Sequence, residues 1–245
     1  MDNCNKLRRD WRNPHAQHRI CFSFNLIKMK KFALLPLLLL SLSAHASERE
    51  WVPYKKLVED LRIDKFYALP AAERDKLRLF ITVKPDNKSY KPSDVVLTLV
   101  KGNERQALPP LSPDYRMALV PNPAWLSDST QIMTSLPKGE KSKVSLTATT
   151  ALPDGVQWNY AAVMGSVAQM NQAIKKMAGA LSMFAPTIRS VVFKFGKPAQ
   201  LTVGNKVFTT DAQHQITLKP DAALLKDNPA MLASERPLEA ELSDE

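Results

Sequence analysis

Apolar residues change their spacing several times along the chain, and each change predicts an element. Residues 32–42 form an apolar run in which Ser41 is the one polar residue. Between residues 51 and 61 the apolar positions Trp51, Tyr54, Val58 and Leu61 recur at three- and four-residue steps, which predicts an amphipathic helix with Pro53 in its first turn. A connector containing Pro70 follows over 68–75. From Lys76 the period drops to two: Leu77, Leu79, Ile81 and Val83 alternate with Arg78, Phe80, Thr82 and Lys84, as in a strand with one buried face. Further strands are expected over 95–100, 115–120, 131–135 and 144–149. Proline-rich breaks separate them, and Gly102-Asn103 forms a turn.

A helical pattern returns over 159–184. Tyr160, Val163, Val167, Met170, Ile174, Met177, Leu181 and Phe184 are spaced alternately three and four apart, and Pro186 ends the run. Beyond it, strands are expected over 191–195, 200–203, 206–209, 215–218 and 238–242, with Gly204-Asn205 as a hairpin turn and a single helical turn over 221–225.

The two strand-rich blocks resemble each other. Residues 119–128 (LVPNPAWLSD) align without a gap on 218–227 (LKPDAALLKD), an offset at which five of ten positions are identical. Arg116-Met117-Ala118 then faces Gln215-Ile216-Thr217, while Ile132 and Ser135 face Met231 and Ser234. The Asn or Asp after the proline is suited to capping a helical turn. The expected fold class is α+β: two short antiparallel β-sandwich-like modules related by internal duplication and joined by one long amphipathic helix. The corresponding division is 1–28 as an over-extended start, 29–46 as a signal peptide and 47–75 as an N-terminal helix and connector. The first β module covers 76–150, the long helix 157–185 and the second β module 188–245.

Lys30 and Lys31, the apolar run and Ser43-Ala44-His45-Ala46 are the three parts of a secretory signal, with cleavage expected between Ala46 and Ser47. The run is 11 residues long, against about 20 for a spanning helix. Met29 is the expected start. The product is therefore expected in the periplasm, with no transmembrane segment.

Removing 1–46 changes the composition. The whole chain has 34 basic and 24 acidic residues. The leader holds 8 and 2 of these, which leaves 26 and 22 and a net charge of +4. That value is far from the footprint of a nucleic-acid binder. Both cysteines, Cys4 and Cys21, lie in the leader, so no disulfide framework is expected; this favours a bacterial periplasm over a eukaryotic secretory route.

His214 is the one histidine beyond the leader, and it sits in a turn-like stretch. Nucleophile–histidine catalysis and a zinc site are both poorly served, so no catalytic residue, metal site or cofactor is expected. Seven scattered glycines form no phosphate cradle.

Three readings remain. In the first, the chain is a non-catalytic binding or scaffold protein, with Trp158, Trp125 and Trp51 as candidate contact residues and Trp158 the most exposed of them. In the second it is a carboxylate-dependent hydrolase acting on an envelope or sugar substrate, using loop carboxylates such as Asp114, Asp128, Asp154 and Asp211. In the third, the long helix serves self-association or binds an envelope partner. The lysine-led signal, Trp51-Val52-Pro53-Tyr54-Lys55-Lys56-Leu57, Asp114-Tyr115-Arg116-Met117-Ala118-Leu119, Asn228-Pro229 and Ser234-Glu235-Arg236-Pro237 together resemble an uncharacterised family of secreted Gram-negative proteins, a domain of unknown function. The resemblance implies an envelope location and carries over no site residue.

Overall fold

A computed structural model describes residues 48–179 and 185–245; the expected signal, its cleavage point at Ala46 and Ser47, and the helical positions Leu181 and Phe184 lie outside the described residues. The fold is mixed helix and antiparallel sheet. The first half runs β1 (Arg49–Pro53), α1 (Tyr54–Asp60), α2 (Ile63–Ala68), β2 (Leu77–Pro85), β3 (Leu97–Lys101), β4 (Glu104–Ala107), β5 (Arg116–Met117), β6 (Gln131–Thr134) and β7 (Ser142–Thr150). The second half runs β8 (Gln157–Asn159), α3 (Tyr160–Ala178), β9 (Ser190–Lys194), β10 (Gln200–Val203), β11 (Lys206–Thr209), β12 (Gln215–Leu218), α4 (Ala222–Asp227), β13 (Ala230–Ala233) and β14 (Glu239–Ser243).

Three sheets result. Two are four-stranded, with orders β1-β6-β3-β4 and β8-β13-β10-β11. The third has six strands in the order β12-β9-β14-β7-β2-β5, so each half supplies three neighbouring strands. They meet where Glu241 of β14 faces Thr149 of β7. The expectation of two modules joined by a helix is thus corrected: the halves share a sheet. Helix α3 enters directly from β8, which pairs with β13, and it packs against both halves: Gln169 accepts from Lys76 N, Ser166 meets Thr150 and Lys176 pairs with Glu73.

The first half starts earlier than its periodicity predicts. Trp51 belongs to strand β1, paired with β6, and the helix begins only at Tyr54, whose N–H donates to Thr130 O at 3.0 Å. The helix ends at Asp60, close to the expected limit, and after Arg62 in a left-handed conformation (φ 58°) an unexpected second helix, α2, follows.

Burial follows the alternation. Leu79, Ile81 and Val83 of β2 face inward, as do Val191 and Phe193 of β9. One core cluster gathers α1 and Ile63 of α2 over the first half, and the other packs α3 against the second half together with Phe66 of α2 and Leu77 and Leu79 of β2. Leu146 and Tyr67 pack against both clusters, so the apolar interior is continuous. On α3 the buried face is wider than the expected seam. Met164, Ser166 and Ala173 are buried with Tyr160, Val163, Val167 and Met170, whereas Ile174 and Met177 are only partly buried. The buried Ser166 hydroxyl donates to Val163 O at 2.6 Å and lies 2.8 Å from the Thr150 hydroxyl, so its polar atom is satisfied inside the core.

Equivalent hydrogen bonds recur in the two halves. Tyr115 and His214 both have positive φ (61° and 59°), and their carbonyls accept from Val83 N and Phe195 N at 2.9 Å. Ser112 Oγ accepts from Arg116 N at 3.1 Å; Asp211 Oδ1 accepts from Gln215 N at 2.8 Å. Tyr54 Oη accepts from Asn122 N at 3.3 Å, and Tyr160 Oη accepts from Asp221 N at 3.0 Å. Ser135 Oγ accepts from Val96 N, and Ser234 Oγ from Gln200 N, both at 2.9 Å. Four of these pairings, at Ser112/Asp211, Tyr115/His214, Asn122/Asp221 and Ser135/Ser234, sit at the 99-residue offset.

Candidate functional site

The inward faces of the strands build the core, and the outward faces of the six-stranded sheet carry the chemistry. Strand pairing puts Arg78 opposite Thr149, Phe80 opposite Thr147 and Thr82 opposite both Ser145 and Arg116. On the other side of the centre, Glu239 faces Lys194 and Glu241 faces Val192. Residues 110–118 and 236–240 flank this surface, and with it they line a cleft of about 720 Å³. The cleft therefore spans the junction of the two halves.

Three charges of its lining, Arg116, Lys194 and Glu239, meet with Glu241 on the next outward position of β14. Arg116 reaches from β5 across the sheet and pairs with Glu239, and with Glu241 at 3.4 Å. Lys194 pairs with Glu241, and with Glu239 at 3.4 Å. The four side chains keep 17–32 % of their surface exposed. Burial, the strongest single influence on Lys194, pulls its ammonium downward. The hydrogen bond and charge of Glu241, joined by Glu239, outweigh it, and the net shift is upward. The quartet is neutral as a whole.

Beside it, Arg236 donates to Pro153 O and Gly155 O, both at 3.1 Å, and pairs with the fully exposed Asp154 at 3.5 Å. Two charges of the lining remain. Arg78, on β2, and Asp114, in the turn before β5, have no hydrogen-bond or ion-pair partner among the described residues. Phe80, Leu111 and Leu238 supply apolar wall; Leu238 is 78 % exposed.

A second, apolar cavity of about 390 Å³ lies on the inner face of the same sheet, under α3. Leu79, Leu146, Met170, Ile174, Ile188 and Leu242 contribute to its lining.

No known protein family, curated protein or solved structure matches this chain.

The tryptophans fall inside. Trp158 is 4 % exposed, because it is the single inward residue of β8 between exposed Gln157 and Asn159. Its Nε1 donates to Pro153 O at 3.0 Å. This corrects the expectation that Trp158 is the most exposed of the three. Trp125 is 9 % exposed in a short 3-10 turn, and Trp51 is half-buried against the first core cluster. None of the three lines the charged cleft.

The four loop aspartates are exposed and lie in different surroundings. Asp128 pairs with Lys55 at 2.9 Å, Asp154 with Arg236, and Asp211 accepts from Gln213 and Gln215 N–H groups within its own turn. Only Asp114 lines the cleft. The carboxylates that come together are Glu239 and Glu241, which the sequence reading did not single out. The available signal was their i, i+2 spacing on an expected strand, which puts both on one face. His214 occupies the turn position described above, half-buried.

Among the described residues no group of three or more His, Cys, Asp or Glu is placed to hold a metal ion. None of the described helices is long and apolar enough to cross a membrane.

Proposed function

We propose that the chain is an exported, non-catalytic binding protein of the bacterial envelope, built from two copies of one ancestral half, and that the charged cleft takes its ligand. One observation carries the reading: the outward face of the shared sheet differs between the halves where the rest of the topology agrees. Because Val83 N and Phe195 N bond equivalent carbonyls, Thr82 corresponds to Lys194. The strand registers then match Ser145 with Glu239 and Thr147 with Glu241.

In the first half the position is filled by a hydroxyl pair, Thr82 and Thr147, 3.5 Å apart. The second half places the Lys194–Glu241 ion pair there, adds Glu239, and receives Arg116 from the first half. A partly buried ion pair gives little net stability over a neutral pair of similar shape, since desolvation offsets its attraction. The scaffold is served by threonines in one half, so four ordered charges at the junction are best explained by recognition. Envelope location rests on the signal-like leader.

The test adds the low-molecular-mass fraction of a periplasmic extract to ¹⁵N-labelled protein. Amide shifts are expected at the non-proline residues of 78–80, 111–118 and 236–240, and they should vanish in the Lys194→Thr/Glu241→Thr variant. Shifts confined to the inner apolar cavity, or none at all, overturn the reading.

A second reading has its own observation. Glu239 and Glu241 are two neighbouring carboxylates on one face of β14, and Glu239 lines the cleft; a glycosidase-type hydrolase needs such a pair. Both are already engaged by Arg116 and Lys194, which is the arrangement of a fixed binding surface more than of a proton donor. Release of reducing sugar from an envelope glycan, abolished by Glu239→Gln, would favour the hydrolase instead.

A further inference from the structure

Once the charges of the cleft are paired off, one cation and one anion remain. We propose that Arg78 and Asp114 receive the two ends of a short zwitterionic peptide, Arg78 the carboxylate and Asp114 the ammonium group. The inference rests on the binding reading above and names its ligand class.

Pairing is the first argument. Arg116, Lys194, Glu239 and Glu241 neutralise one another, and Arg236 is held by two carbonyls and Asp154. Arg78 and Asp114 have no such partner among the described residues, although both line the cleft. An arginine offers a planar fork of donors that matches a carboxylate, and an aspartate accepts from an ammonium group. A ligand with a single charge would satisfy only one of the two.

Position is the second. Arg78 stands on the sheet floor, opposite Thr149, whereas Asp114 belongs to the turn that walls the cleft. The residue of β9 that corresponds to Arg78 is Ser190, which is completely buried. The exposed cation at this position is thus peculiar to the first half.

Size and lining are the third. A volume of about 720 Å³ lies in the range of small-molecule sites and would be poorly filled by one amino acid. Phe80, Leu111 and Leu238 add apolar contacts for side chains beside the charged groups. Such a lining suits a peptide of a few residues.

The experiment titrates the tripeptide Ala-Leu-Ala, its N-acetyl form and its C-terminal amide into wild-type protein, Arg78→Gln and Asp114→Asn, reading Kd from amide shifts. In the wild type the uncapped peptide should bind at least ten-fold tighter than either capped form. Arg78→Gln should erase the preference for the free carboxylate and keep the preference for the free amine; Asp114→Asn should do the reverse. Both side chains are exposed, so the variants are expected to fold, and their unperturbed amide spectra verify it. Equal binding of capped and uncapped peptide, or preferences unchanged in both variants, overturns the inference. If no peptide binds while the periplasmic fraction still shifts the cleft amides, the peptide assignment falls and the binding reading stands. If neither has any effect, both fall.

Discussion

The ion-pair quartet makes a quantitative prediction through a double-mutant cycle of Lys194→Thr and Glu241→Thr. Lys194→Thr alone leaves Glu239 and Glu241 sharing Arg116, with no second cation. Exposed pairs contribute about 0.2–1 kcal/mol and removal of one buried partner costs about 3–5 kcal/mol. With 28–32 % of each side chain exposed, a cost of about 1–2 kcal/mol is expected for either single change. The double variant reproduces the first half's threonine pair and should lie within about 0.5 kcal/mol of the wild type. The coupling is then about 2–4 kcal/mol, at the upper end of what residues in direct contact show. Urea denaturation measures it without adding salt, and each kcal/mol should appear as roughly 2–4 °C in Tm for a chain of this size. Additive losses, with the double variant as unstable as the two singles combined, would refute the assignment of Lys194 and Glu241 to one paired unit. The same pair fixes the pH behaviour. The folded value of Lys194 is raised, so its contribution is complete below the ordinary lysine value of about 10.4 and is lost as pH climbs through the raised folded value. Wild-type stability should therefore fall more steeply than that of the double variant above that pH.

Other predictions are more local. Asp221 caps α4 by accepting from two N–H groups, Ala223 and Leu224, whereas Asn122 accepts only from Ala124; Asp221→Ala should cost about 1 kcal/mol, and Asn122→Ala less, by urea denaturation. His214 holds a positive φ in its turn, so His214→Gly should leave stability unchanged or raise it by up to about 1 kcal/mol, whereas a clear loss would show that the imidazole itself is needed. Ile174 packs against the α3 core and lines the inner cavity, so Ile174→Asp should destabilise by about 2–4 kcal/mol with no change in sedimentation mass. A folded variant that merely loses an oligomer would instead make α3 an interface.

The legible part of the fold was the part with local rules. Strands β10, β11 and β12 have the limits their alternation predicts, Gly204 supplies the positive φ of the hairpin, and Asp221 caps its turn. Strands β1 and β8 escaped because each is short, contains a tryptophan and runs directly into a helix, so helical spacing could be read straight through Trp51. What no local rule encodes is the pairing of β7 with β14, which turns two separate sheets into one. The cleft depends on that pairing. Its residues were visible singly, as outward positions on strands, but Arg116 meets Glu239 across 123 residues of sequence. The tryptophans misled for the converse reason: bulk suited to a binding surface is equally suited to a core, and register decided for the core.

The most direct test of the account is native mass spectrometry of the wild type and of Lys194→Thr/Glu241→Thr, each recovered from a periplasmic fraction. The account predicts a wild-type chain beginning at Ser47 that carries a small-molecule adduct, and an equally processed double variant without it. A wild-type chain without adduct, or one whose adduct persists unchanged in the double variant, would contradict a ligand-binding role for the cleft.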